Sequence, residues 1–551
     1  MRIAGVRGIG VSRVVRRSVW AGIVSALLTC APAAATTFSP NTTADGNNGS
    51  CGNPCTLRDA INAADTAPGN DVVIPAGDYK LSLGQLPITQ NMSVAGAGAR
   101  TTTIDAEGTS RVIYVNPGIQ AAIHDLTVKG GAAGPSSSPF FGEGGGILTE
   151  GTLSLRRTAI VGNTSTITGG GLSAPFKGNS SGNGAVTTTI EDSLIADNKV
   201  TGGGGAGSGG GLNLFGDATV TNSTVTGNSV DNPGGNEGGG ITSAANFFSA
   251  SPGTLTLLNV TVAGNSIPSP SGLGGGLSGA NFNLFPVTPP LLSNLTAKNT
   301  LIAGNTVGGA AQDCSQVNLV SSSHNLSGDS TCGFSDSGSL QNANPQLGSL
   351  ADNGGPTNTL KPADASPTKN VGDNSGCPAS DQRGIGRPQA GICDIGAVEL
   401  KAPDLQLRQA PLGRAGRAGT LASEAKRKPR KRGFLITITN LGEQGSRGTE
   451  LKIRIRGRTR KLIRSSPCAL QKTKKKRKKG RRRKPKVKLL SCPLSDLSPG
   501  TSTKFTLRVK PPKRGGKVRS TATVSNQLGE ASPSGHSATT VLRLKKKRPR
   551  R

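Results

Sequence analysis

The residues that could do chemistry in this chain of 551 residues are few. His124-Asp125 and Arg156-Arg157 come first, then Glu191-Asp192, Asp197 and Asp217, and the whole sequence has only three histidines. Carboxylates near a basic group are the equipment of glycan cleavage. Two or three carboxylates on one face hydrolyse a glycosidic bond, and a carboxylate cluster holding calcium beside an Arg or Lys base serves a lyase. The spacing argues against both. The carboxylates do not recur at one position of a repeat, and along a continuing strand Glu191 and Asp192 would point to opposite faces. His-Glu-x-x-His is absent, and no strand-to-helix nucleophile elbow is read around the formal Gly-x-Ser-x-Gly match at Gly178–Gly182. These side chains read as solvated surface or turn residues. No catalytic, cofactor-binding or metal-ligating residue is assigned, and no cofactor is expected.

Nine cysteines are present. Cys30 falls in the leader described below, which leaves eight in four local couples: Cys51/Cys55, Cys314/Cys332, Cys377/Cys393 and Cys468/Cys492. Local disulfides are the simplest arrangement, although sequence does not fix connectivity. Zinc is the rival, but no histidine is placed to complete a ligand set.

The elements that must position these residues come from a Gly-rich repeat between about Ile119 and Thr306. Each copy has a short alternating apolar strand, an Asn, a polar turn, then Gly-Gly-Gly and an aliphatic residue. The Asn residues are Asn163, Asn198, Asn228, Asn265 and Asn305, in steps of 35, 30, 37 and 40 residues. Such periods signal a solenoid, and the alternation is that of strands. Ile160, Ile195, Val225, Val262 and Ile302 occupy equivalent places and should form an aliphatic stack shared between coils. The expected fold is all-β, a right-handed parallel β-helix whose uneven periods are loop insertions. The Asn residues read as an internal amide ladder at a tight corner where Asn tolerates left-handed backbone, with ligand binding as the rival. The glycine triplets read as corners. They lack the Lys-Ser/Thr of a phosphate loop.

Charge divides the chain. Residues 401–551 hold 45 Lys+Arg against 6 Asp+Glu, a net of +39, whereas the preceding part has 19 basic and 25 acidic residues. A basic tail of this kind points to polyanions. Residues 1–35 read as a signal peptide: Arg2, Arg7, Arg13, Arg16 and Arg17, an apolar run from Val19 to Leu28, and Ala33-Ala34-Ala35 for cleavage. A lipoprotein site at Cys30 is the alternative. No later stretch has the length of a membrane span.

Residues 36–118 read as an N-terminal cap and first coils. Leu57, Ala60, Ile61 and Ala64 have helical spacing, as a helix covering the solenoid's open end would. The run Cys55-Thr-Leu-Arg-Asp-Ala-Ile61 resembles the CSLREA motif that opens many secreted bacterial β-helix proteins. The repeats are similar to those of polymorphic outer-membrane and pectate-lyase-like β-helices. Residues 311–400 resemble the choice-of-anchor Q domain, through His324-Asn-Leu-Ser, Leu350-Ala-Asp-Asn-Gly-Gly-Pro-Thr357, Asp381-Gln-Arg-Gly-Ile-Gly-Arg-Pro388 and Cys393-Asp-Ile-Gly-Ala-Val-Glu399. The resemblance covers about residues 40–400. It implies a secreted or surface β-helix whose C-terminal anchor differs between members, and it implies no reaction.

Residues 401–551 would then be the anchor. Asp404-Leu-Gln-Leu, Phe434–Gly442, Leu451-Lys-Ile-Arg-Ile, Lys504-Phe-Thr-Leu-Arg-Val and Thr521–Asn526 alternate like sandwich strands, and Ile-Thr-Asn-Leu-Gly resembles immunoglobulin-like wall modules. The run 472–488, with 13 basic residues of 17, reads as a disordered loop held at its base by Cys468 and Cys492. Lys545–Arg551 adds a second basic cluster. The expected function is a non-catalytic bacterial surface or secreted protein for adhesion or glycan contact, held to anionic envelope polymers by its tail. A secreted polysaccharide lyase or glycoside hydrolase is the alternative. Nucleic acid is the less favoured partner, since the basic run lacks aromatics for base stacking.

Overall fold

Alternating apolar residues make strands that bury one face each, and here the faces are buried by stacking. In this computed structural model the described residues are 35–551, apart from 136, 138–141, 176–186, 203–206, 233–235, 245–252, 280–291, 413–431, 458, 460, 465–467, 472–486, 511–515, 529–535 and 545–551. The leader, most of the basic run 472–488 and the terminal cluster 545–551 lie outside them.

Each coil of the solenoid adds one strand to each of several parallel sheets, of ten, nine and eight strands, with a seven-stranded sheet of very short strands at one corner. Successive coils stay in register. Ile160, Ile195, Val225, Val262 and Ile302 pair in sequence on the nine-stranded sheet, and all are fully buried. Val94, Ile123, Leu155, Ile190, Val220 and Leu257 do the same on the ten-stranded sheet. Ile113, Ile147, Leu172, Leu212, Ile241 and Leu277 complete the interior from the eight-stranded sheet. The all-β parallel β-helix expected from the repeat is therefore the fold. The uneven period has one main source, the turn from the eight-stranded to the ten-stranded sheet. In the shortest coil only Gly216 separates Leu212–Phe215 from Asp217–Thr221.

The open end is closed by a helix, α1, Leu57–Ala64, whose Leu57, Ala60, Ile61 and Ala64 are buried in the solenoid core. Thr56 caps it, accepting from the Asp59 N–H, while the Asp59 carboxylate accepts from the Thr56 N–H. This reciprocal pair is a capping box built with Asp in place of Glu. Burial alone would raise Asp59, but the Thr56 and Asn48 donors hold it below the ordinary carboxylate range. Arg58 is buried against Asp45 and two backbone carbonyls, those of Gly84 and Gln85. Each residue of Cys55-Thr-Leu-Arg-Asp thus has a structural task.

Residues 311–400 are only partly coil. After the last solenoid strand, Leu326–Ser327, the chain turns back along the outside. Its hairpin, Leu347–Ala351 with Thr359–Pro362, places Leu347 and Leu350 against Leu301, Ala159 and their neighbours on the nine-stranded sheet, and reaches Arg100 near the first coils.

Residues 401–551 form two antiparallel sheets, of four and five strands, sharing a core of Leu407, Phe434, Ile436, Ile453, Ile455, Leu507, Val518 and neighbours. All the strands expected there are present. Lys461–Arg464, Ala469–Gln471, Val487–Pro493 and Ser537–Leu544 are additional. The four disulfides pair the cysteines as local couples, as an oxidising compartment allows. No helix among the described residues is long and apolar enough to cross a membrane.

Candidate functional site

Three groups of polar residues are organised enough to be sites. The first is the Asn column. Asn163, Asn198, Asn228, Asn265 and Asn305 are buried. In the first four, the side-chain amide and the backbone N–H both donate to the side-chain oxygen of the next Asn, at 2.9 and 3.0 Å. The amide also donates to a carbonyl of the preceding coil. The column begins at the Gly131 N–H and ends on Asp313, whose Oδ1 takes both Asn305 donors while Oδ2 takes the N–H groups of Gly328 and Asp329. Burial pushes the Asp313 carboxyl up, against the Asn305 bonds. With every donor and acceptor spent internally, no ligand can use this column. One detail differs from expectation. The left-handed residue at this corner is the one before the Asn, Gly162, Asp197, Gly227, Gly264 or Gly304, so the Asn is chosen for its amide alone. The triplets have the same logic. Gly209 has φ +62°, and a Cβ on Gly211 would lie 2.9 Å from the Asn228 amide carbon.

The second group contains the residues with catalytic types. A corner follows each strand of the ten-stranded sheet, and its first residue has left-handed backbone in seven places: Asp125, Arg157, Asp192, Asn222, Asn259, Asn299 and His324. The strand ends before it also stack, as His124, Arg156 and Glu191. The expectation that these charges share no position is corrected by this geometry. Asp125, Arg157 and Asp192 form one column and His124, Arg156 and Glu191 another. Nor do Glu191 and Asp192 oppose each other across a strand. The strand stops at Glu191, the turn at Asp192 brings both to one side, and Arg156 lies 3.6 and 3.9 Å from their carboxylates. Burial, then the Glu191 charge, pushes Asp192 up to about 6. Asp197 belongs to the Asn corner and is raised by burial. Asp217 opens a strand and accepts the Thr254 N–H. Neither joins the cluster.

Ser93, which no sequence motif marks, lies 3.3 Å from His124 Nε2, and His124 Nδ1 lies 2.9 Å from Asp125. Arg157 grips the same Asp125 with two nitrogens. Burial would raise Asp125, but Arg157 and His124 keep it low. The order Ser–His–Asp is that of a nucleophile and its base. Ser93 sits inside Met92–Gly96, a strand paired on both sides, so among the described residues its own strand supplies no free backbone N–H to a developing oxyanion. Among the described residues no group of three or more His, Cys, Asp or Glu could hold a metal ion.

The third group joins the solenoid to the C-terminal sheets. Asn222, Thr224, Asn259 and Asn299 bind the returning segment through Ser380, Gln382, Asp394 and Asp373. Arg383 pairs with Asp381 at 2.9 Å and with Glu443 at 3.1 Å, and Arg387 with Glu399 at 3.0 Å. The side chains of Asp381, Arg383, Arg387 and Glu399 are wholly buried. Burial raises the carboxyls of Asp394 and Glu399 and depresses Arg387. The Asp-Gln-Arg-Gly-Ile-Gly-Arg-Pro and Cys-Asp-Ile-Gly-Ala-Val-Glu runs are accordingly a buried ionic knot. The 441–449 connection packs on it through Glu443 and Gln444.

That knot gives the C-terminal module two poles. Strands end beside the 441–449 connection, the near pole, at Leu405, Asn440, Glu450, Pro493, Ser502 and Ser525, and at the opposite, far pole at Pro411, Gly433, Arg456, Val487, Lys510, Gly516 and Leu544. The described carboxylates Asp404, Glu443, Glu450 and Asp496 lie at or beside the near pole. Arg456, Lys461, Lys510, Lys517 and Arg519 lie at the far one. The fold and sites define an all-β solenoid with a charge-polarised module at its end. No family model matches the chain, and no curated protein matches it.

Proposed function

We propose that the protein is a secreted or cell-surface bacterial β-helix, non-catalytic, whose solenoid makes adhesive or glycan contacts while its basic, immunoglobulin-like C-terminal module holds it to anionic envelope polymers. The CSLREA and choice-of-anchor Q resemblance belongs to this reading. The observation that carries it is the charge polarity of the module. The near pole is committed to the solenoid by buried ion pairs. At the far pole, strands end on either side of the runs 413–431, 472–486 and 511–515 and before 545–551, and these four runs contain 27 of the module's 45 Lys+Arg. A pole of this kind attracts a polyanion without specifying it. The test is salt elution of the mature protein from isolated bacterial envelopes, beside a variant lacking residues 472–486. Retention should fall steeply with salt, and the variant should elute at lower salt with a shallower dependence. Retention indifferent to both would refute the anchor role.

The second reading, a carbohydrate-active enzyme, is favoured by one arrangement, the stacked His124–Asp125–Arg156–Arg157–Glu191–Asp192 columns with Asp192 raised to about 6, a value suited to a general acid. New reducing ends or unsaturated products from a panel of acidic and neutral polysaccharides, abolished by Asp192→Asn, would establish it and overturn the first reading.

A further inference from the structure

The outer face of the five-stranded sheet breaks a rule of sheet design. Arg456 stands directly opposite Arg519 on the neighbouring strand, and Lys517 directly opposite Arg543. Arg454 lies one pleat along from Arg456. All five are exposed. Directly opposed residues are about 4.5–5.5 Å apart, and like charges so placed destabilise a sheet. The pattern repeats on the other sheet, where Lys461 opposes Lys510 at the same pole. Among the described residues none of these cations has a carboxylate partner within ion-pair distance, whereas Lys452, nearer the solenoid, is paired with Glu450. Three opposed cation pairs gathered at one pole are a local conflict of the kind that marks function.

We propose that this face is a binding site for a phosphodiester polymer, resting on the anchor reading above. A planar carboxylate is best met by one guanidinium fork. A phosphodiester has two free oxygens that diverge, and each can take a donor from one member of an opposed pair. Four of the five residues are arginines, whose rigid forks suit phosphate. The face carries Thr521, Thr539 and Val541 beside the cations but no aromatic ring, so it offers no platform for bases and reads backbone charge alone. The polymer lies across the strands with successive phosphates on successive pairs, and the bound anions remove the repulsion that the empty face carries.

The experiment measures binding of the disulfide-intact mature protein to immobilised poly(glycerol phosphate) and, separately, to polygalacturonate of matched charge, across a salt series. The test variant is Arg456→Gln/Arg519→Gln/Arg543→Gln, with all four basic runs intact. The control is Arg408→Gln/Lys504→Gln/Arg447→Gln, the same charge change elsewhere on the module. The test variant should lose at least 10-fold in affinity for poly(glycerol phosphate) at about 150 mM salt, and its log–log salt slope should flatten by roughly 0.7–0.9 per cation lost from a contact. The control should lose less than 3-fold. The test variant should also melt no lower than the wild type, because it relieves opposed charges. Equal losses in the two variants would overturn the site. Tighter binding to polygalacturonate would overturn the phosphodiester assignment while leaving the anchor reading standing. Failure of the wild type to bind either polymer would sink both.

Discussion

Asn228→Ala tests whether the Asn column holds the solenoid together. The Asn228 side chain makes four buried hydrogen bonds. Its oxygen accepts from the backbone and side chain of Asn198 at 3.0 and 2.9 Å. Its amide donates to the Ile195 carbonyl at 3.0 Å and to Asn265 at 2.9 Å. At about 1 kcal/mol net for each bond the loss is about 4 kcal/mol, and it grows if the Asn198 N–H and Ile195 carbonyl stay dry. The column also has a direction, since each Asn donates to the next and only Asp313, at the end, purely accepts. Asn228→Asp keeps the acceptor but sets a carboxylate oxygen against the Ile195 carbonyl and the Asn265 oxygen, so it should cost at least as much as alanine. Asp313→Asn, nearly isosteric, turns an amide donor toward the Gly328 and Asp329 N–H groups and should cost roughly 1–3 kcal/mol. Urea unfolding followed by far-ultraviolet circular dichroism reads all three. An Asn228→Ala loss below about 0.5 kcal/mol, or a neutral Asp313→Asn, would refute the directional ladder.

Three other outcomes follow from the geometry. Arg387→Met should leave Glu399 buried without its cation and cost about 3–5 kcal/mol, and it should expose the junction near residue 400 to limited proteolysis; a protease-resistant variant would count against the knot. Gly211→Ala should destabilise the coil, because its Cβ would stand 2.8 Å from the Gly240 carbonyl oxygen and 2.9 Å from the Asn228 amide carbon, and local amide exchange around Asn228 should speed up. Asp192 has its carboxyl raised from 3.8 to about 6, so its share of stability is whole below pH 3.8 and lost as pH rises through 6. The melting temperature of the wild type should therefore fall between pH 4 and 6 relative to Asp192→Asn, and parallel pH profiles would show that Asp192 is not perturbed.

The solenoid was legible because its physics is periodic. A strand that must bury one face repeats its apolar positions, and a corner that must satisfy an amide repeats its Asn, so Ile160 and Asn163 announce Ile195 and Asn198. The second corner was not legible. Its left-handed position is filled by Asp125, Arg157, Asp192, Asn222, Asn259, Asn299 and His324; all but Arg157 are types that tolerate left-handed backbone, but their mixed charges and the arginine disguise the repeat. Arg157 and Asp125 support each other there through their ion pair. Since the corner hid its own register, it also hid the fact that the charged residues stack, and Ser93 could not be connected with His124 at all. The four extra strands of the C-terminal module were hidden differently. Lys461, Arg464 and Lys488 stand in strands that border the basic runs, so Lys461–Arg464 and Val487–Pro493 look like fragments of a basic run.

A solvating tail could carry its charge anywhere along a disordered sequence. Here Arg454, Arg456, Lys517, Arg519 and Arg543 are held on a sheet whose inner face is a packed core, at fixed register and on one side. Fixing like charges costs conformational freedom as well as repulsion. The near pole shows that the same strands accept a carboxylate, since Glu450 sits between Ser525 and Pro493 and pairs with Lys452. The far pole differs from it in composition and not in fold. The charge distribution is therefore a property of the surface that faces away from the solenoid, and it is that surface, rather than the net charge of the tail, that the triple arginine variant interrogates.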